Sequence, residues 1–195
     1  MKHWILIGAG GHARAVVEGL QASGEVLAAY VDSAPADWLP GIRRIASDAE
    51  VDTESARIIV GLGGLRIHQL ERRLAILDDY IRRGAEAPAV VHPRAIVSRT
   101  AELAAGVQVL AGAIIQPNTK IGRGVIVNTG AIVEHDSVVE EGTHVAPGAV
   151  VLGGCRVGRF AIVGTRAVVL PGKAVPDVTI VRAGDVFPES NKEAV

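Results

Sequence analysis

The chain has 195 residues, 49% of them hydrophobic and 21% charged, with a formal net charge of −1. That length holds two small domains or one large one, and the charge balance offers no broad basic field for nucleic acid or for an anionic membrane. A single cysteine, Cys155, excludes an internal disulfide and suits a reducing compartment.

No apolar run reaches the length of a membrane span. Met1 to Gly8 is apolar but lacks the basic flank and cleavage site of a signal peptide. A cytoplasmic protein with no membrane insertion is therefore expected. With 3% aromatic residues and 23 glycines, the core should be built from Val, Ile and Ala between tight turns.

In the first half, the apolar run Trp4 to Ile7 precedes Gly8-Ala9-Gly10-Gly11-His12, and Ala13 to Leu20 reads as a helix. Val26 to Val31 is a second strand ending at Asp32. Arg57 to Val60 is a third, ending in Gly61-Leu62-Gly63-Gly64. A helix over about Ile67 to Arg83 follows, and Ala89 to Val91 is expected as a fourth strand leading onward. Alternating strands and helices imply a parallel sheet whose ligands sit beyond the carboxyl ends of the strands. Glycines there let a phosphate approach the backbone at a helix N-terminus. Gly10-Gly11 departs from the dinucleotide fingerprint, and Ala13 stands where its last glycine would be. A nucleotide sugar or similar phosphate ligand is favoured over NAD; a purely structural turn is the alternative.

From Val91 onward an aliphatic residue returns every sixth position through Val97, Leu103, Val109, Ile115 and so on to Val181, with Phe187 in the same phase. Two positions before each lies a mostly small residue, such as Ala113, Ala131, Ala149, Cys155 and Ala161. Three positions after each, glycine dominates, and the position just before that phase carries Pro93, Pro117, Pro147 and Pro171. A helix needs a period near 3.6. Hexapeptide repeats mark a parallel β-helix, in which three hexads close one triangular coil of about 18 residues. The fold class expected is an α/β Rossmann-like domain over 1–88 plus an all-β left-handed parallel β-helix over 89–195. Cys155 falls in the small inward phase and reads as a core residue rather than a catalytic thiol.

The polar group that stands out in the array is Glu134-His135-Asp136. His135 occupies the phase that elsewhere holds turn prolines, so it should project from a prism corner. Asp136 beside it can fix its tautomer. Gly153 lies one coil later, roughly 4.8 Å along the prism. A histidine beside a free backbone N–H suits a base plus oxyanion donor for acyl transfer; a solvated surface histidine is the alternative. His144 is half a coil from His135, so the two can meet only across a subunit boundary. His3, His68 and His92 read as surface or packing residues. No His/Cys/Asp cluster has metal-ligand spacing.

The Gly-Ala-Gly-Gly-His-Ala-Arg opening, the hexapeptide array and Asn128-Thr129-Gly130-Ala131-Ile132-Val133-Glu134-His135-Asp136 together resemble the NeuD/PglD group of sugar acetyltransferases, over nearly the whole chain. The resemblance implies a homotrimer with acetyl-CoA in the groove between adjacent β-helices and a nucleotide sugar on the N-terminal domain. It implies His135 as general base tuned by Asp136. It places His144 near the acetyl group, Gly153, Thr165 and Ala183 along the CoA groove, and Gly11, His12, Ala13 and Asp32 at the nucleotide sugar, where Gly61 is expected too from its place at the end of the third strand. No metal is implied. The function expected is N-acetylation of a UDP-4-amino-sugar type of substrate. O-acetylation of a sialic acid or polysaccharide sugar is the nearest rival, and a passive trimerising rod is a third reading. The loop Gly61 to Arg66 lacks the family's asparagine before the arginine.

Overall fold

Strand β1 (His3–Ile7), helix α1 (Gly11–Ala22), strands β2 (Leu27–Val31), β3 (Arg43–Ile45) and β4 (Ala56–Val60), and helix α2 (Ile67–Arg82) come first in a computed structural model that describes residues 2–188. Residues 189–195, the end of the expected second domain, lie outside the described residues. The strands form one parallel sheet in the order β3-β2-β1-β4. Helix α1 buries Ala13, Val16, Val17 and Leu20, a single face at helical spacing. Helix α2 likewise buries Leu70, Leu74, Leu77 and Tyr80. Each helix stops before a glycine in the left-handed region, Gly24 (φ 83°) and Gly84 (φ 99°), which closes the last turn without Cβ strain.

Two expectations change. The second strand begins at Leu27, because Val26 is exposed. The fourth strand of this sheet is β3, not residues 89–91. Its Arg-Arg-Ile sequence carries no apolar alternation to betray it, whereas Val90–Val91 pairs with Gln108–Val109 as the first rung of the next architecture.

From Val90 to Phe187 every strand is two residues long, the first side chain pointing outward and the second inward. Strands pair in parallel with partners 18 residues away, as in Lys120↔Val138 and Ile132↔Val150. Three stacked sheets result, one per prism face. The inward aliphatics, among them Val109, Val127, Val133, Val151 and Val169, are fully buried, each stabilising the prism by roughly 1.5–3 kcal/mol. Three buried hydroxyls in the small phase satisfy themselves on corner carbonyls: Thr119 on Glu134 (3.3 Å), Ser137 on Leu152 (3.0 Å) and Thr143 on Gly158 (2.8 Å). Cys155 is buried in the same column.

The three faces differ outside. One presents Glu102, Lys120, Val138, Arg156 and Ala174. A second presents Ile96, Ile114, Ile132, Val150, Val168 and Val186, aliphatic from end to end and covered by nothing among the described residues. The third presents Val90, Gln108, Ile126, His144 and Ile162, buried because the N-terminal domain sits on them, and then Ile180, which is exposed. Gln108 receives a hydrogen bond from His12 Nε2 (2.8 Å) and donates to the Val60 carbonyl (2.7 Å). Helix α2 approaches so closely that a Cβ on Gly106 or Gly124 would meet Leu77 or Leu74.

Candidate active site

The corner between the apolar and the charged faces carries Pro117, His135, Gly153 and Pro171 at successive coils. This turn position tolerates proline because its N–H takes no part in the ladder. Accordingly the backbone N–H groups of His135 and Gly153 have no partner among the described residues. The next position is the left-handed one, held by glycine in most coils but here by Asn118 (φ 59°) and Asp136 (φ 58°).

The His135 side chain is 61% exposed, and its Nδ1 lies 2.8 Å from Asp136 Oδ2. A carboxylate accepts, so Nδ1 carries the proton and Nε2 is left as the free base. The Nδ1–H of His135, and then the Asn118 amide (3.2 Å from Oδ1), hold the Asp136 carboxyl below the usual carboxylate range. The ring lies over the α-carbon of Gly153: an added Cβ would stand 2.8 Å from both Cε1 and Nε2. The site therefore presents an imidazole lone pair beside an uncommitted backbone N–H, the pair of groups that general-base acyl transfer uses.

Thr165 and Ala183 are exposed and stack one coil apart on a different corner, between the apolar face and the face bearing the N-terminal domain. The two corners flank the apolar face, and a single chain does not bring them together.

His144 is buried on the domain face. Its Nδ1–H donates to the Gly64 carbonyl (2.7 Å), and its Nε2 accepts from Asn128 Nδ2 (2.9 Å). Burial lowers its basicity. It joins the prism to the loop before α2 and is remote from the His135 of its own chain. His92, also buried, bonds Glu18 (2.9 Å) and packs on Gly19.

At the N-terminal domain, Gly10, Gly11, Arg14, Asp32 and Trp38 line a cavity of about 430 Å³. The first backbone N–H groups of α1 open toward it. Arg14 lies over the Trp38 ring at 4.9 Å, a cation the sequence reading passed over. Asp32 braces this turn: Ala9 N–H donates to Oδ2 (2.9 Å) and Ala34 N–H to Oδ1 (3.1 Å), with the Ala9 contact chiefly lowering its pKa. A larger cavity of about 590 Å³, bordered by Gly8, Asp32, Ser33, Arg72 and Tyr80, lies on the α2 side of the same strand ends.

The expectation that Ala13 and Gly61 touch a ligand meets a structure in which both are buried. A Cβ on Gly61 would strike the Gly8 carbonyl and the Ala13 methyl, so the two let β1, α1 and β4 approach beneath the turn. His12 points to the prism rather than into the cavity, and burial pushes its pKa down to about 4. Gln108 and Asn118 escaped the sequence reading, although subtracting 18 from Asp136 finds Asn118, and Asn128 figures in it only as part of the motif around His135.

Among the described residues no group of three or more His, Cys, Asp or Glu could hold a metal ion, and no helix is long and apolar enough to cross a membrane.

The PglD N-terminal domain family model matches residues 4–69. No curated protein sequence matches the chain significantly. Among solved structures, PerB from Caulobacter crescentus in complex with CoA and GDP-perosamine is 34% identical, with a TM-score of 0.88 over 97% of this chain and 90% of that one. A histidine-to-alanine variant of the Caulobacter GDP-perosamine N-acetyltransferase is 33% identical with a TM-score of 0.89 over the same shares. The acetyltransferase domain of PglB from Neisseria gonorrhoeae, in complex with acetyl-coenzyme A, is 29% identical with a TM-score of 0.86 over 95% of this chain and 92% of that one. With its Rossmann-like sheet, its left-handed β-helix and this likeness over almost its whole length, the chain belongs to the NeuD/PglD family of sugar acetyltransferases, enzymes that draw their acetyl group from acetyl-CoA.

Proposed function

We propose that this protein is an acetyl-CoA-dependent N-acetyltransferase acting on a nucleotide-linked amino sugar. The reading rests above all on the His135–Asp136 pair set over Gly153, and the relatives solved with CoA and GDP-perosamine support it. His135 Nε2 takes a proton from the acceptor amine as its nitrogen attacks the thioester carbonyl. The Gly153 N–H faces the oxyanion of the tetrahedral intermediate. The C–S bond then breaks, the CoA thiolate leaves, and the imidazolium returns its proton. No acyl-enzyme is needed, since Cys155 is buried in the prism.

In this reading residues 1–88 hold the nucleotide sugar, through the cavity at Gly10, Gly11 and Asp32, and residues 89–195 carry the transfer. The active unit is a homotrimer packed on the apolar face. Two observations support this. Six aliphatic side chains line an uncovered face flanked by His135 and Gly153 on one edge and Thr165 and Ala183 on the other. The His135 corner also lies opposite the face on which its own N-terminal domain sits, so the sugar that meets this histidine is carried by a neighbouring chain. CoA would run between the two prisms along these edges, with His144 of the neighbouring chain near the acetyl end.

The test is thiol release with acetyl-CoA across UDP-, GDP- and dTDP-linked amino sugars. His135→Ala is expected to lower kcat by about 10²–10⁴; undiminished turnover in that variant overturns the assignment. A rate that rises with pH as the acceptor ammonium deprotonates marks an amine acceptor. Turnover only with hydroxyl sugars would replace N- by O-acetylation.

A further inference from the structure

The left-handed turn position on the His135 corner is glycine at Gly154 and Gly172 but Asn118 and Asp136 at the two coils below. Asparagine and aspartate tolerate this conformation better than other side-chain residues, yet glycine remains the unstrained choice. The same turn elsewhere in the prism also takes Phe160, Arg166 and Val178, so it is the contacts of Asn118 and Asp136, and not their conformation, that point to a use for the side chains.

Their contacts form a file along the corner. Thr100 Oγ1 accepts from the Asn118 backbone N–H (3.0 Å), Asn118 Nδ2 donates to Asp136 Oδ1 (3.2 Å), and His135 Nδ1–H donates to Asp136 Oδ2 (2.8 Å). The carboxylate thus spans two coils, one oxygen held from below and the other turned to the imidazole. Both members of the His135–Asp136 pair are more than half exposed. One such contact between two mobile side chains holds its geometry poorly in water. A second donor on the other oxygen, from a residue whose backbone N–H is held by Thr100, reduces that freedom.

We infer that Asn118 is a positioning residue for catalysis, aligning the Asp136 carboxylate so that it fixes the Nδ1–H tautomer of His135 and leaves Nε2 as base. The inference rests on the proposed role of His135. Asn118 exchanges no proton itself; it acts through Asp136.

The informative variant is Asn118→Gly in the full-length protein. Glycine stands at this turn in two other coils, at Gly154 and Gly172, so the backbone is kept and only the amide is lost. Expected are an unchanged melting temperature, a KM for acetyl-CoA within about twofold of wild type, and a kcat lower by about tenfold, the scale typical of outer residues that orient a histidine. Ring-nitrogen NMR of ¹⁵N-histidine-labelled protein, with the His135 signal assigned from His135→Ala, should show Nδ1–H population lost to Nε2–H in Asn118→Gly, in the direction given by Asp136→Asn. Full kcat, or a kcat loss with the tautomer unchanged, overturns the inference. Full turnover in His135→Ala instead overturns the base assignment, and the tautomer readout, which needs no substrate, keeps the two failures apart.

Discussion

Replacing Gly153 by alanine adds one methyl group directly beneath the His135 imidazole. Gly153 has no left-handed φ, so the backbone accepts alanine there. The obstacle is contact: the new Cβ would lie 2.8 Å from Cε1 and Nε2, and ordinary contact starts at 3.4 Å. The ring must therefore move by about 0.6 Å or rotate away. It is the exposed end of a flexible side chain, so moving it costs little stability. A misplacement of about 1 Å at a reacting group is worth roughly 10²-fold in rate. Half that displacement, applied to the base itself, should lower kcat about tenfold or more, which is about 1.4 kcal/mol or more in the barrier. Gly164→Ala is the contrast. Its Cβ would strike backbone, 2.6 Å from Ala183 N and 2.7 Å from the Val181 carbonyl. It should cost about 1–3 kcal/mol in stability. Thiol-release kinetics and thermal melts of both variants decide the matter. Full turnover in Gly153→Ala, or a melting temperature that falls as far as that of Gly164→Ala, would refute the picture of an imidazole seated on a glycine.

Three further outcomes follow from the junction and the faces. His12 titrates near 4 when folded against an ordinary 6.5. Its folded value is the lower one, so the unfolded chain takes up the proton first, and about 3 kcal/mol of stability present above pH 6.5 is lost as pH falls toward 4. His144, lowered in the same direction, adds to this. Urea midpoints at pH 7 and 4.5 should therefore converge in His12→Gln relative to wild type; parallel losses in the two proteins would contradict it. Arg73 is fully buried, its Nε and Nη2 have no partner among the described residues and its Nη1 donates to the Gly124 carbonyl. Arg73→Met should stay within about 1 kcal/mol of wild type, since a poorly paired buried cation contributes little net stability; a loss above about 3 kcal/mol would show that the cation is needed. Val150→Glu, in the middle of the apolar face, should convert a species of three chain masses in light scattering to one chain mass and abolish turnover. A wild-type protein of one chain mass would remove the basis of the shared site.

Much of the prism was legible in one dimension because its geometry is periodic. An inward aliphatic every six residues, a turn glycine three later and a partner 18 later follow from the hexad alone, and the same arithmetic puts Gly153 beside His135. Strand β3 was not legible, because a three-residue edge strand with two arginines carries no burial pattern. His12 and Gly61 are expected as ligand contacts from their place at the strand ends, and Ala13 from the family resemblance. Whether such residues face a cavity or a neighbouring element depends on how the sheet docks.

The sequence by itself thus determined the period, the inward columns, the order of elements and the identity of the histidine at the corner, since each is set by spacing along the chain. Only the tertiary structure decided which prism face the N-terminal domain covers. That choice puts His144 under the loop at Gly64, leaves one aliphatic face uncovered among the described residues and sets His135 on the far side from the glycine turn of its own N-terminal domain. It rests on contacts between residues some 50 to 100 apart, Arg73 with Gly124 and His12 with Gln108 among them, and no local pattern encodes which of three similar faces will win that packing.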